Sequence, residues 1–249
     1  MFKRVVLADI GNSRVKWGRA ERGVLSPGAA FATDGAALAG NLDLRWGALE
    51  APEAVYVSNV AGAEVAARLA AWVATRWSVP VHFARAEAQR CGVTNGYENP
   101  EQLGVDRWVG LIALKRCYDL PACLVDCGTA LTFDVLDGEG RHLGGLIAPG
   151  PALMKRALLR NTQGVAEVDG RFDGWLGRNT AAGVAGGVLA ACAGLVERAV
   201  SESAERLGRM PAVAVTGGDG ESLGQWLGLP YRHDGELILK GLLTLAENE

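Results

Sequence analysis

The order of apolar and polar positions divides the chain into short strands and longer helices. "RVVLADI" (4–10) is an apolar run that ends on an acid, and "RVKWGRA" (14–20) reads as its antiparallel return after a turn at Gly11-Asn12. "AVYVSNV" (54–60) predicts another strand, followed by an amphipathic helix over 64–77, "EVAARLAAWVATRW", and a strand in "VPVHFA". The loop "CGVTNGYENPEQLG" leads into a helix over about 107–117, and Pro100 after Asn99 predicts a short helical turn before Gly104.

The pattern then starts again. "ACLVDCGTALTFDVLDGEGRHLGGLIAPG" (122–150) reads as strand, tight turn, strand, an Asp-Gly-Glu-Gly hairpin and a further strand. Helical patterns follow at 151–160, 181–207 and 236–247, with one more strand, "AVAVTGG", at 212–218. No low-complexity linker interrupts the chain, so the expected boundary falls at Tyr118-Asp119-Leu120-Pro121 and gives domains 1–117 and 118–249. Laying "VLADIGNSRVKWG" over "CLVDCGTALTFDV" matches Asp9 with Asp126, Gly11 with Gly128 and Ser13 with Ala130. An Asp-x-Gly-[Asn/Thr] repeat at two equivalent turns predicts two similar α/β subdomains facing each other across a cleft.

Composition narrows the functional classes. The 249 residues are 49% hydrophobic and 21% charged, as in ordinary soluble globular proteins, and can bury a substantial core. A net charge of −3 gives no bulk attraction to nucleic acid or to an anionic membrane. Five cysteines, without a C-x-x-C pair and with three histidines in the chain, read as reduced thiols rather than a zinc site. "MFKRVVLADIG" is not a signal peptide, because its apolar run reaches an Asp within a few residues. The uncharged segment 180–196 is just short of a bilayer span. Its small residues Gly183, Gly186, Gly187, Ala190 and Gly194 recur at helical spacing, which predicts a buried helix packed tightly on a neighbour. The expected location is the cytoplasm.

The turns carry the candidate chemistry. Asp9-Ile10-Gly11-Asn12-Ser13 fits a β-hairpin in which Gly and Asn supply positive φ. It also fits a concavity of backbone N–H groups for phosphate oxygens, with Asn12 and Ser13 as further donors and Lys16 as the compensating charge. Asp9 beside a phosphate requires a cation between them, usually Mg²⁺. Asp126-Cys127-Gly128-Thr129-Ala130 repeats the arrangement, so two such loops could hold the β- and γ-phosphates from both sides. "VTGGDG" (215–220) ends another strand; it is either an ordinary turn or a close backbone approach to a flat nucleoside. Neither a Walker loop nor a Rossmann fingerprint occurs at a strand-to-helix turn.

In that order the three elements resemble the two phosphate motifs and the adenosine motif of the actin/hexokinase/Hsp70 superfamily. "GVDRW" (104–108), "DCGTALTFD" (126–134) and "GGLIAPG" (144–150) further resemble the type III pantothenate kinase, or Bvg accessory factor-like, family. The resemblance runs from Asp9 to Gly220. It implies duplicated ribonuclease H-like (actin-like ATPase) subdomains, each a mixed sheet flanked by helices, with the active site in the cleft between them. The implied activity is transfer of the γ-phosphoryl of ATP to pantothenate, the first step of coenzyme A synthesis.

The resemblance also assigns roles. Asp106 is the implied general base; capping the helix that follows is the structural alternative, and both can hold. The phosphate loop Asp9, Ile10, Gly11, Asn12, Ser13, Arg14, Val15 and Lys16, together with Thr129, is implied to bind ATP with Mg²⁺. Tyr97, Gly104, Val105, Asp106, Arg107 and Thr180 are implied to line the pantothenate pocket, with Arg107 a clamp for its carboxylate. Tyr97 as a surface-packed loop aromatic and Thr180 as a helix N-cap remain the structural alternatives. Asp126 corresponds to a ligand of a monovalent cation, K⁺ or NH₄⁺. A partly open adenosine site is implied at Gly217-Gly218. Family members are dimers, which implies a homodimer here, and no nucleic-acid or membrane partner is expected. Ser13 stands where Thr is common, and Cys127 reads as a small buried residue without a His to activate it. Two other functions compete: a nucleotide-binding regulatory protein without catalysis, and a kinase of the same superfamily for another acceptor.

Overall fold

The computed structural model describes residues 4–162 and 174–249. It divides into two compact units: Met1–Cys117 with Gly140–His142 and Glu236–Glu249, and Tyr118–Glu139 with Leu143–Gly235.

In the first unit, β1 (Arg4–Ile10), β2 (Arg14–Glu21), β3 (Val24–Pro27) and β4 (Phe31–Ala32) precede helix α1 (Leu38–Trp46). Then come β5 (Ala54–Asn59), α2 (Ala63–Arg76), β6 (Val81–Phe83), the small hairpin β7 (Gln89–Arg90) and β8 (Val93–Thr94), and α3 (Val105–Cys117). The main sheet has the order β3-β2-β1-β5-β6, with β4 also on β2. Strands β1 and β2 are antiparallel, whereas β1, β5 and β6 run parallel. Alternation decides the faces. Val6, Ala8, Ile10, Val55 and Val57 turn towards the side chains of α1 and α2, and Trp46 packs there among Trp17, Trp72 and Trp77 with ring centroids 5.7–5.9 Å away. The opposite face is covered by α3 and the C-terminal helix, α7 below.

In the second unit, β9 (Ala122–Cys127), β10 (Ala130–Leu136), β11 (His142–Pro149), α4 (Pro151–Asn161), α5 (Thr180–Leu207), β12 (Ala212–Thr216), α6 (Gly220–Gly224) and β13 (Arg232–His233) follow in order, before α7 (Leu237–Glu247) returns to the first unit. The sheet order, β11-β10-β9-β12-β13, repeats that of the first unit, with β9 antiparallel to β10 and parallel to β12. Cys123, Val125, Cys127, Phe133, Val213 and Val215 share a core with Cys192, Ala193, Val196 and Val200 of α5.

Three expectations change. Helix α7 belongs to the first unit, not the second, because its apolar face packs on α3, β1 and β5; a Cβ at Gly241 would stand 2.1 Å from the Val109 carbonyl oxygen. Thr180 does not cap α5. Asn179 does, its side chain accepting from the Ala182 N–H at 2.8 Å, and Thr180 is the first helical residue. The glycines of α5 do not all pack on a neighbour: a Cβ at Gly183, Gly187 or Gly194 would meet nothing within 4 Å, whereas Gly186 is buried. By length and composition α5 is apolar enough to cross a membrane, yet its Cys192, Val196 and Val200 lie in the second unit's core.

Candidate active site

The first hairpin turn joins residues that face each other across β1 and β2. Asp9 pairs in register with Lys16 and Ile10 with Val15, and the Gly11 N–H donates to the Arg14 carbonyl at 3.0 Å. Thr33 holds the turn from one side, its hydroxyl donating to the Gly11 carbonyl (2.8 Å) and its N–H to the Ser13 carbonyl (3.1 Å). Asn12, Ser13 and Arg14 are exposed, Asp9 and Lys16 half-buried. Ile10 and Val15 lie in the core, so only their backbones can meet a ligand. The positive φ expected at Gly11 and Asn12 does not occur. Four residues separate the paired Ile10 and Val15, enough to turn the chain without the left-handed region.

The second turn is one residue shorter. Cys127 pairs with Leu131 and Asp126 with Thr132, so Thr132 occupies the register position that Lys16 holds in the first unit. The carbonyls of this turn are engaged within the unit. Asp219 N–H donates to Cys127 (2.9 Å), Gly150 N–H to Thr129 (2.9 Å) and Gly128 N–H to Ala130 (2.9 Å). A turn whose carbonyls are taken offers donors to a ligand, which suits phosphate oxygens. Two glycines make the approach possible. A Cβ at Gly150 would stand 2.0 Å from the Gly128 oxygen, and one at Gly217 (φ +96°) would stand 2.2 Å from the Cys127 oxygen and 2.5 Å from Asp126 Oδ1. The need for a bare backbone at Gly217 is therefore met inside the protein, by the end of β9, and does not require a nucleoside. Burial, and then Cys192, Asp219 and Asp126, push the Cys127 thiol above its usual range; it stays protonated and is no nucleophile.

The helix start at α3 gathers a second set. Its first turn begins at Val105, two residues before the expected position, and the Trp108 N–H closes on the Gly104 carbonyl at 2.9 Å. Asp106 lies inside that turn and accepts from the Arg107 N–H at 2.8 Å, so it does satisfy a helix-end donor. Arg107 is 5% exposed, and its Nη1 donates to Tyr97 Oη at 2.7 Å. The Tyr97 ring stacks on His142, centroids 5.8 Å apart. Asn95 shapes this loop: its Oδ1 accepts from the Tyr97 N–H (3.0 Å), and its Nδ2 donates to Pro100 and Glu87 carbonyls (3.2 Å each). Tyr97 is thus a partner of Arg107, not a surface aromatic. Asn95 and His142 were missed; a lone Asn in a turn-rich loop and a lone His carry no local signal.

Thr180, in the second unit, is exposed at the rim of an apolar groove of about 650 Å³ between α4 and α5. Among the described residues no group of three or more His, Cys, Asp or Glu side chains could hold a metal ion. The acids at Asp9 and Asp126 stand each at a strand end, a donor set suited to a hard cation that shares its oxygens with phosphate rather than to a resident metal cage.

Comparison with known proteins agrees with the motifs. The family model described as type III pantothenate kinase matches residues 5–202. A type III pantothenate kinase of Burkholderia vietnamiensis is 41% identical over 257 residues, covering 97% of this chain and 95% of that protein. Among solved structures, a conserved Baf family protein from Campylobacter jejuni matches with a TM-score of 0.62 at 20% identity, over 98% of both chains. A ROK family glucokinase from Streptomyces griseus matches with a TM-score of 0.50 at 14% identity, over 99% of this chain and 100% of the other. The two repeated mixed sheets are the duplicated actin-like fold.

Proposed function

The chain belongs to the type III pantothenate kinase family and phosphorylates pantothenate with ATP, and we propose that Asp106 is the general base of that reaction. The observation that carries this reading is the start of α3, where Asp106 and a buried Arg107 follow each other and Arg107 is tied to Tyr97 at 2.7 Å. Phosphoryl transfer asks the protein chiefly for positioning and charge neutralisation. Tyr97 fixes the guanidinium plane of Arg107, and a fixed fork holds a carboxylate bidentately. Pantothenate anchored there presents its primary hydroxyl to Asp106, which takes the proton as the γ-phosphoryl group moves. Gly104 and Val105 complete the wall of this pocket, and Thr180 contributes to substrate binding.

Asp9 to Lys16 and Thr129 bind the phosphates of ATP. Asp9 would hold Mg²⁺ and Asp126 a monovalent cation, K⁺ or NH₄⁺, and these ions would supply neutralising charge for the phosphates. Lys16, in register with Asp9, supplies a fixed positive charge on the same face of the sheet. We further assign a homodimer in the cytoplasm. The open glycine face of α5 and the apolar groove beside it support contact with a second copy.

The test is direct. Purified chain is incubated with ATP, Mg²⁺ and pantothenate in potassium or sodium buffer, and 4′-phosphopantothenate is measured by mass spectrometry. Product formation dependent on potassium, and loss of that dependence in Asp126→Asn, is expected. Equal rates in both salts would remove the cation from the mechanism.

A further inference from the structure

Strands β5 and β12 carry one sequence pattern, Ala54-Val55-Tyr56-Val57-Ser58 and Ala212-Val213-Ala214-Val215-Thr216. They also occupy one position in their sheets, each parallel to the strand that ends in an acid. Ala54 pairs with Val5 and Ser58 with Asp9; Ala212 pairs with Ala122 and Thr216 with Asp126. In both copies of the fold a hydroxyl residue therefore stands in register beside the strand-end carboxylate, on the same face of the sheet.

Ser58 is 0% exposed and Thr216 1%. Neither hydroxyl has a hydrogen-bond partner among the described residues. A buried, unpaired hydroxyl is costly, and a side chain chosen for packing alone would be Ala or Val. The same unfavourable choice appears at both copies, each time next to the acid. In-register side chains on neighbouring strands lie about 5 Å apart at Cβ, so a rotation of the acid brings the pair within hydrogen-bond range.

We propose that Ser58 and Thr216 are positioning residues for Asp9 and Asp126: when nucleotide and its cations enter, each hydroxyl donates to the neighbouring carboxylate and fixes the oxygen turned to the cation. The inference rests on the reading of these two acids given above. A donated hydrogen bond favours the ionised carboxylate and restricts its rotation. The return strand separates the two copies in degree. Asp9 has Lys16 in register on that side, whereas Asp126 has Thr132, a third buried hydroxyl without a partner among the described residues. The position in register with Asp126 on the return strand thus holds a hydroxyl where that of Asp9 holds a lysine, and the variants at Thr216 are read first.

The variants are Thr216→Val, which removes the hydroxyl at constant shape, Thr216→Ser, which keeps it, and Ser58→Ala. Three quantities are read on each: the potassium concentration for half-maximal activity, the potassium dependence of fluorescent ATP-analogue binding without turnover, and the melting temperature. Thr216→Val is expected to raise both potassium requirements about tenfold. KM for pantothenate stays within about twofold, and melting is no lower than in the parent, since an unpaired buried hydroxyl has been removed. Thr216→Ser restores the parent's potassium dependence, and Ser58→Ala raises the Mg²⁺ requirement instead. If valine packs poorly, Thr216→Ala repeats the test without the bulk. Potassium dependence lost in Asp126→Asn but unchanged in Thr216→Val overturns the inference alone. Dependence unchanged in both variants overturns the role of Asp126 and the inference with it.

Discussion

Arg107 Nη1 donates to Tyr97 Oη at 2.7 Å, and the guanidinium carbon lies 5.6 Å from the centre of the Tyr97 ring. The phenol therefore aligns a cation that is only 5% exposed, and the two side chains act as one unit. Tyr97→Phe keeps the ring and its contact with His142 but leaves a buried donor without this acceptor. A hydrogen bond to a charged group is worth about 1.5–3 kcal/mol. Steady-state kinetics of this variant should show KM for pantothenate raised on the order of tenfold or more, with KM for ATP nearly unchanged. A defect confined to ATP would remove Tyr97 from the pantothenate pocket.

Gly217 and Gly194 should respond oppositely to alanine. At Gly217 the backbone has φ +96° and the new methyl would meet the Cys127 oxygen at 2.2 Å. Strain and displacement of the β9 end should cost about 2–4 kcal/mol, read as a lower urea midpoint. At Gly194, inside α5, a methyl meets nothing within 4 Å. There alanine should stabilise by about 0.5–1 kcal/mol through helix propensity. Equal effects at the two sites would contradict the close approach at Gly217.

Much of this was written in the local pattern. The strand-end acids, the Gly turns and the restart after residue 117 were legible because period-two alternation and turn residues are local signals. Helix α1 was not. Gly40, Asn41 and Asp43 are weak helix formers, and Leu38, Leu42 and Trp46 hold it by burial against the sheet. The return of α7 to the first unit depends on packing at Gly241 and Val109, which sequence order cannot express. The offset between the turns escaped notice because aligning residues places Ser13 on Ala130. Strand pairing instead places Arg14 there, since Val15 and Leu131 are the first return residues paired to Ile10 and Cys127. The Asp106-Arg107 pair was found through family resemblance, whereas its supports Asn95 and His142 required the fold.

The buried thiols and Tyr56 should make the protein sensitive to alkali. Burial pushes the Cys123 thiol from its ordinary value of 9.0 up to about 12. Burial, and then the hydrogen bond to Glu249, likewise raises Tyr56. A raised pKa in the folded state means that the unfolded chain releases its proton first as pH rises. The stability from Cys123 is thus complete below about pH 9 and lost progressively towards pH 12. Urea midpoints measured from pH 8 to pH 11 should fall, and Cys123→Ala should flatten that decline. A midpoint independent of pH would show that these groups ionise equally in both states.

The residue assigned as the base is tested most directly by Asp106→Asn. Asparagine preserves the side-chain oxygen that accepts from the Arg107 N–H, so the helix start should remain intact. With saturating ATP, pantothenate and potassium, kcat of the variant should fall by about 10²–10⁴, while fluorescent ATP-analogue binding and melting temperature match the parent. A variant that turns over at the parental rate would contradict Asp106 as the group that takes the proton.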